Sequence, residues 1–178
     1  MSTENQENIK YFPENVISEN LNYWYSKMMR DFKLDSFYEK ASDTNKQLFR
    51  FVWGRAHNNP ITITIEIFEN DYGELRLLEY SGGVFYPENA IMSNCLLQLF
   101  PYEIESFLKI IDNNCFWDIL SANPYSRGLD GSTWIIEGIK NGKYHFIERW
   151  APMQTDKVVA GIGLCMIGLS RMKFDRIY

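Results

Sequence analysis

Residues 134–149 read WIIEGIKNGKYHFIER, and this stretch decides the fold. Asn141-Gly142 stands between two alternating apolar runs, the strongest short-range signal for a two-residue type I′ hairpin. A turn of those two residues pairs Lys140 with Lys143 and sets the rest of the register. Ile139 then faces Tyr144, Gly138 faces His145, Glu137 faces Phe146, Ile136 faces Ile147, Ile135 faces Glu148 and Trp134 faces Arg149. Because successive side chains alternate, directly opposed residues share a face. One face carries Trp134, Ile136, Gly138, His145, Ile147 and Arg149. There Arg149 is expected over the Trp134 indole, and Gly138 is expected to leave room for the His145 ring. The other face carries Ile135, Glu137, Ile139, Tyr144, Phe146 and Glu148, and its two carboxylates predict a partly wet surface.

Strand patterns also precede the hairpin. Gln47 to Arg55 alternates, with Leu48, Arg50 and Val52 on one side and Phe49, Phe51 and Trp53 on the other. Ile61, Ile63, Ile65 and Ile67 share one face of a half-buried strand, and Glu74 to Tyr80 returns after a turn at residues 69–73. Helical spacing governs Leu21, Trp24, Tyr25, Met28, Met29 and Phe32, so an amphipathic helix is predicted over about 18–32 with Ser18 as its cap. Residues 91–117 read as helical in part, with Pro101 in a first turn and Ile104, Phe107, Leu108 and Ile111 as the buried stripe. Asp156 caps a last helix, whose glycines at 161, 163 and 168 are expected to be offset by close packing on the sheet. Three helices and about five hairpin-connected strands predict an antiparallel α+β domain spanning 1–178, with residues 1–13 as an N-terminal arm.

The chain has 178 residues, 46% hydrophobic and 23% charged, which is enough to bury a core and excludes wholesale disorder. Its formal charge of −5 argues against general nucleic-acid binding, which needs a basic field. The opening residues lack a basic and then apolar leader, so no secretory signal is expected. The apolar run at 158–169 is shorter than the roughly 20 residues that a membrane span requires. Cys95, Cys115 and Cys165 have apolar neighbours and no paired spacing. They are expected as buried free thiols in a reducing cytoplasm.

The sharpest charge cluster is acidic. Glu66, Glu69, Asp71, Glu74 and Glu79 fall in one hairpin with Arg76 as its one cation. These carboxylates are the candidate partner-binding residues, because an acidic face speeds encounter with a basic protein. One further constellation has catalytic residue types: Asp130, Trp134, Glu137, His145 and Arg149. It would serve a small hydrolase-like enzyme if the side chains converged, or form a structural corner if they did not. The register puts Glu137 and His145 on opposite faces, which removes a direct acid–base pair unless a bulge intervenes. No HExxH, CxxC or phosphate-loop motif occurs, and no metal or cofactor is expected.

The segments Gly128-Leu129-Asp130-Gly131-Ser132-Thr133-Trp134, Glu137-Gly138, Gly142-Lys143-Tyr144-His145 and Arg149-Trp150-Ala151-Pro152 resemble a block found in uncharacterised bacterial proteins. Phe116-Trp117-Asp118 is similar to the Phe-Trp pair that precedes that block. In size, acidity and lack of catalytic motifs the chain also resembles immunity proteins of bacterial toxin systems. That resemblance implies a protein-binding module, monomeric or homodimeric, that occludes a basic intracellular toxin. A structural or adaptor domain is the third possibility.

Overall fold

The described strands are β1 (Gln47–Arg55), β2 (Ile61–Ile67), β3 (Gly73–Tyr80), β4 (Ile91–Leu99), β5 (Ser132–Lys140) and β6 (Lys143–Trp150). They form one sheet in the order β4-β3-β2-β1-β5-β6, with every neighbouring pair antiparallel. The computed structural model describes residues 9–43, 46–56, 58–82, 90–122 and 131–177. Within them, the helices are α1 (Glu19–Asp31), α2 (Phe37–Lys40), α3 (Pro101–Asn113), α4 (Pro152–Thr155) and α5 (Lys157–Leu169). The class is α+β. None of the helices is long and apolar enough to cross a membrane.

The β5–β6 register is the one that the Asn141-Gly142 turn predicts, pair for pair from Lys140–Lys143 to Trp134–Arg149. Both turn residues have positive φ, 53° and 74°, as type I′ geometry requires. β1 lies between β2 and β5, and its two alternating faces are both buried. Phe49, Phe51 and Trp53 join Ile61, Ile63, Ile65, Trp134, Ile136 and Ile147 in the larger core, which α3 and α5 cover. Val52, Ile135 and Phe146 belong to a second core on the opposite face, closed by Met28 and Met29 of α1 and by Tyr11 and Phe12.

Several expectations need correction. Residues 91–99 form the edge strand β4, which raises the strand count to six. Adjacent Leu96 and Leu97 blur its alternation, so the helical period looks as good as the strand period. The β5–β6 face with Glu137 and Glu148 is buried, because α1 and residues 11–12 lie over it. The space beside Gly138 is filled by Phe116, 2.8 Å from where a Cβ would stand, and by Trp117 and Phe49. Among the glycines of α5, Gly163 packs against Trp134, whereas Gly161 and Gly168 face open space. Trp24 is 53% exposed and lies outside the buried stripe of α1. Cys115 is exposed, while Cys95 and Cys165 are half-buried.

Candidate partner-binding surface

The acidic hairpin turns on a short loop. Phe68 donates its amide to the Tyr72 carbonyl at 2.8 Å, leaving Glu69, Asn70 and Asp71 as the turn. Asp71 takes the left-handed conformation at φ 62°, which fits a type I turn closed by an αL residue. Asp tolerates that conformation better than most side chains. The turn therefore projects Glu69 and Asp71 into solvent.

Gly73 pairs with Leu99, which brings this turn beside the corner where β4 enters α3. Pro101 opens α3, and the Glu103 carboxylate accepts the Phe100 amide at 2.9 Å. This bend holds Phe100 and Tyr102 outward. Their rings stack at 6.1 Å with 5° between planes, and Tyr72 meets Phe100 at 6.5 Å. Tyr102 is 66% exposed and Phe100 is 43% exposed. Asp71, Glu105 and Asp112 line a shallow depression beside Tyr102. Lys109 bonds Glu105 at 2.6 Å and holds its carboxyl below the ordinary range.

Four of the five predicted carboxylates gather at this end of the sheet. Glu66 and Glu74 are directly opposed on β2 and β3. Glu66 accepts Lys46 at 2.5 Å, and the two line a depression that also includes Glu69. Glu79 is elsewhere, on the opposite face at the far end of β3. Asn59 donates to it at 3.1 Å, and the Arg55 guanidinium lies 3.7 Å away. Sequence reading missed Tyr72, Phe100 and Tyr102. An aromatic that is exposed cannot be told by type from the many here that are buried.

The catalytic-type constellation does not converge among its described members. Asp130 lies outside the described residues. Glu137 is fully buried on the α1 face, where it accepts Arg50 Nε at 2.7 Å and Tyr144 Oη at 2.8 Å. Arg50 also donates to the Asp35 carbonyl at 2.8 Å, and its guanidinium lies 4.1 Å from the Phe37 ring centre. Burial, and next the Glu137 charge, push the Tyr144 hydroxyl well above its usual pKa, so it stays a donor. His145 is on the other face, edge-on to Phe116 at 5.1 Å. Burial lowers its pKa against a backbone hydrogen bond at Ile119 and the nearby Asp118 charge. Trp134 is wholly buried, and its indole donates to Ser132 Oγ at 2.9 Å. The Arg149 guanidinium reaches Asp156 at 2.8 Å and the Leu120 carbonyl at 2.9 Å. These groups bond in separate places and leave no acid–base pair facing a common cavity.

A cleft of about 600 Å³ opens on the α1 face over β1–β3. Arg50, Thr64, Glu74 and Arg76 line it from the sheet, and Lys33, Phe37 and Lys40 from the opposite side. No protein-family model matches the chain, and no curated protein matches it.

Proposed function

We propose that this chain is a protein-binding module of the immunity type, which captures a basic toxin domain and occludes it. The reading rests on one observation: the exposed Tyr72–Phe100–Tyr102 cluster is flanked by Asp71, Glu105 and Asp112. Tyr and other large aromatics anchor interfaces at low entropic cost, and surrounding carboxylates steer a cationic partner. Neither catalytic chemistry nor a resident cofactor is needed, because blocking an active site is steric and electrostatic work.

The test begins with capture of the partner from native lysate and its identification. Tyr102→Ala should weaken the complex about thirtyfold, the effect of an anchor worth about 2 kcal/mol. Glu69→Lys with Asp71→Lys should slow association and flatten its salt dependence. Leu120→Ala, remote from the corner, should change neither. A partner held equally well by Tyr102→Ala and by the double charge reversal would overturn the reading, as would the absence of any stoichiometric partner.

A further inference from the structure

β4 is an edge strand that nothing among the described residues covers, and its one irregularity is a register shift that leaves Met92 unpaired near its start. It runs nine residues, IMSNCLLQL, with no charge and no proline. Edge strands usually carry a charge, a proline or a cover, because their free amides and carbonyls template pairing with another chain. Ile91 is 53% exposed, Met92 64% and Leu96 51%. No described segment pairs with the outer side of this strand.

The hydrogen-bond pattern shows which groups are free. Tyr80 donates its amide to Pro60 on the β2 side, and Ser81 donates to Ala90 on the β4 side. Alternation therefore directs Leu75, Leu77 and Glu79 toward β4, where they oppose Leu97, Cys95 and Ser93. The amides and carbonyls of Asn94, Leu96 and Gln98 point outward.

The geometry points to a second copy of this chain as the occupant, joined by antiparallel β4–β4 pairing about a two-fold axis at Cys95. That axis sets Asn94 against the copy's Leu96 and Cys95 against its own counterpart, and brings Gln98 to the register shift at Met92. It is the register in which the two strands overlap along their whole length, and it matches the free amides and carbonyls of Asn94 and Leu96 in both halves of the pair. Two features favour a copy over a different partner. A two-fold interface confronts a surface with itself, and in a chain of net charge −5 a strand without charge is where self-approach meets least repulsion. The two exposed Leu96 side chains also become diagonal neighbours across the new pair, within reach of each other. The result is a continuous twelve-stranded sheet, with the acidic corners at opposite ends of the shared pair.

The mass in solution, measured by light scattering over a wide concentration range, should be twice that of the chain. Leu96→Lys and, separately, Gln98→Lys should return it to a single chain while the far-ultraviolet circular dichroism is unchanged. Cys95 gives a register probe, because a non-hydrogen-bonded antiparallel pair holds Cα atoms about 4.5 Å apart, within disulfide reach. With Cys115→Ser and Cys165→Ser in place, copper–phenanthroline oxidation should yield a covalent dimer, and adding Leu96→Lys should abolish it. A monomer at every concentration, or a dimer that both lysine variants leave intact, would overturn the pairing. A dimer lost in both variants but never cross-linked would overturn the register.

Discussion

The two ends of the sheet are built to opposite rules. At the β6 end the edge is strapped: Ser121 accepts the Glu148 amide at 2.6 Å, and Arg149 holds the carbonyls of Leu120 and Ser121. Both faces there are covered, Arg50 and Glu137 are buried as a pair, and the buried Arg149 is held by the half-buried Asp156. At the β4 end the edge is free among the described residues, and one face is left open as the cleft. The ion pairs there face water, such as Lys46 with Glu66 and Lys109 with Glu105. Burial makes a lost partner costly, whereas exposure makes it cheap. The strapped end therefore carries the stability, and the open end is free to carry recognition.

The largest contrast should come from removing one carboxylate at each end. Glu137→Ala strands the Arg50 guanidinium, whose side chain is 2% exposed, without its counter-charge. Breaking such a pair costs about 3–5 kcal/mol. Glu66→Ala, with its partner Lys46 in solvent, should cost at most about 1 kcal/mol. Urea denaturation of both variants measures the difference. Equal losses would show that the two ends are not energetically distinct. A double change, Arg50→Met with Glu137→Leu, should recover most of the loss, because apolar replacement leaves no unpaired charge.

A smaller contrast lies within α5 and changes sign along one helix. A Cβ at Gly163 would stand 2.6 Å from Trp134 Cε3, and closer still to Cζ3, whereas one at Gly161 meets nothing. Trp134 is wholly buried between strand and helix and has no room to retreat. Gly163→Ala should therefore destabilise by about 1–3 kcal/mol through overpacking. Gly161→Ala should stabilise by about 0.5–1 kcal/mol, since alanine loses less backbone entropy in a helix. Thermal midpoints that move in the same direction would break the assignment of α5 to the sheet face through Gly163.

What the sequence disclosed follows the same division. The Asn-Gly turn carries its whole register in local chemistry, so the strapped hairpin was legible residue by residue. Pro101 and Asp156 likewise mark their helix starts by backbone rules that need no tertiary context. β4 was not legible, because an uncharged strand with two adjacent leucines shows no clear period until its neighbour is known. The buried state of Glu137 was also hidden. Its partner Arg50 is 87 residues away, and Asp35, Phe37 and Tyr144 close on the pair only after the sheet has assembled. The acidic cluster could be read from composition, but not the aromatic stack beside it. Tyr72 and Phe100 meet through the Gly73–Leu99 pairing, a long-range contact that no local pattern announces.

The smallest expected effect is a pH dependence at the strapped end. Burial against Phe116 and Trp117 holds His145 below the ordinary imidazole pKa of about 6.5. The unfolded chain therefore takes up this proton first as pH falls. The contribution is fully present above about pH 6.5, is lost as pH drops through the interval below it, and levels off once the folded imidazole also protonates. His145→Phe keeps a ring against Phe116 but cannot titrate, so its unfolding midpoint should lose that part of the slope. Parallel midpoint-against-pH curves for the two proteins would show that the ring is as well hydrated folded as unfolded. The exposed Lys109–Glu105 pair should add little slope of its own at the open end, because solvent and salt screen it. A slope that survives His145→Phe and vanishes in Glu105→Gln would place the titrating group at the open end, and the contrast between the two ends would fail.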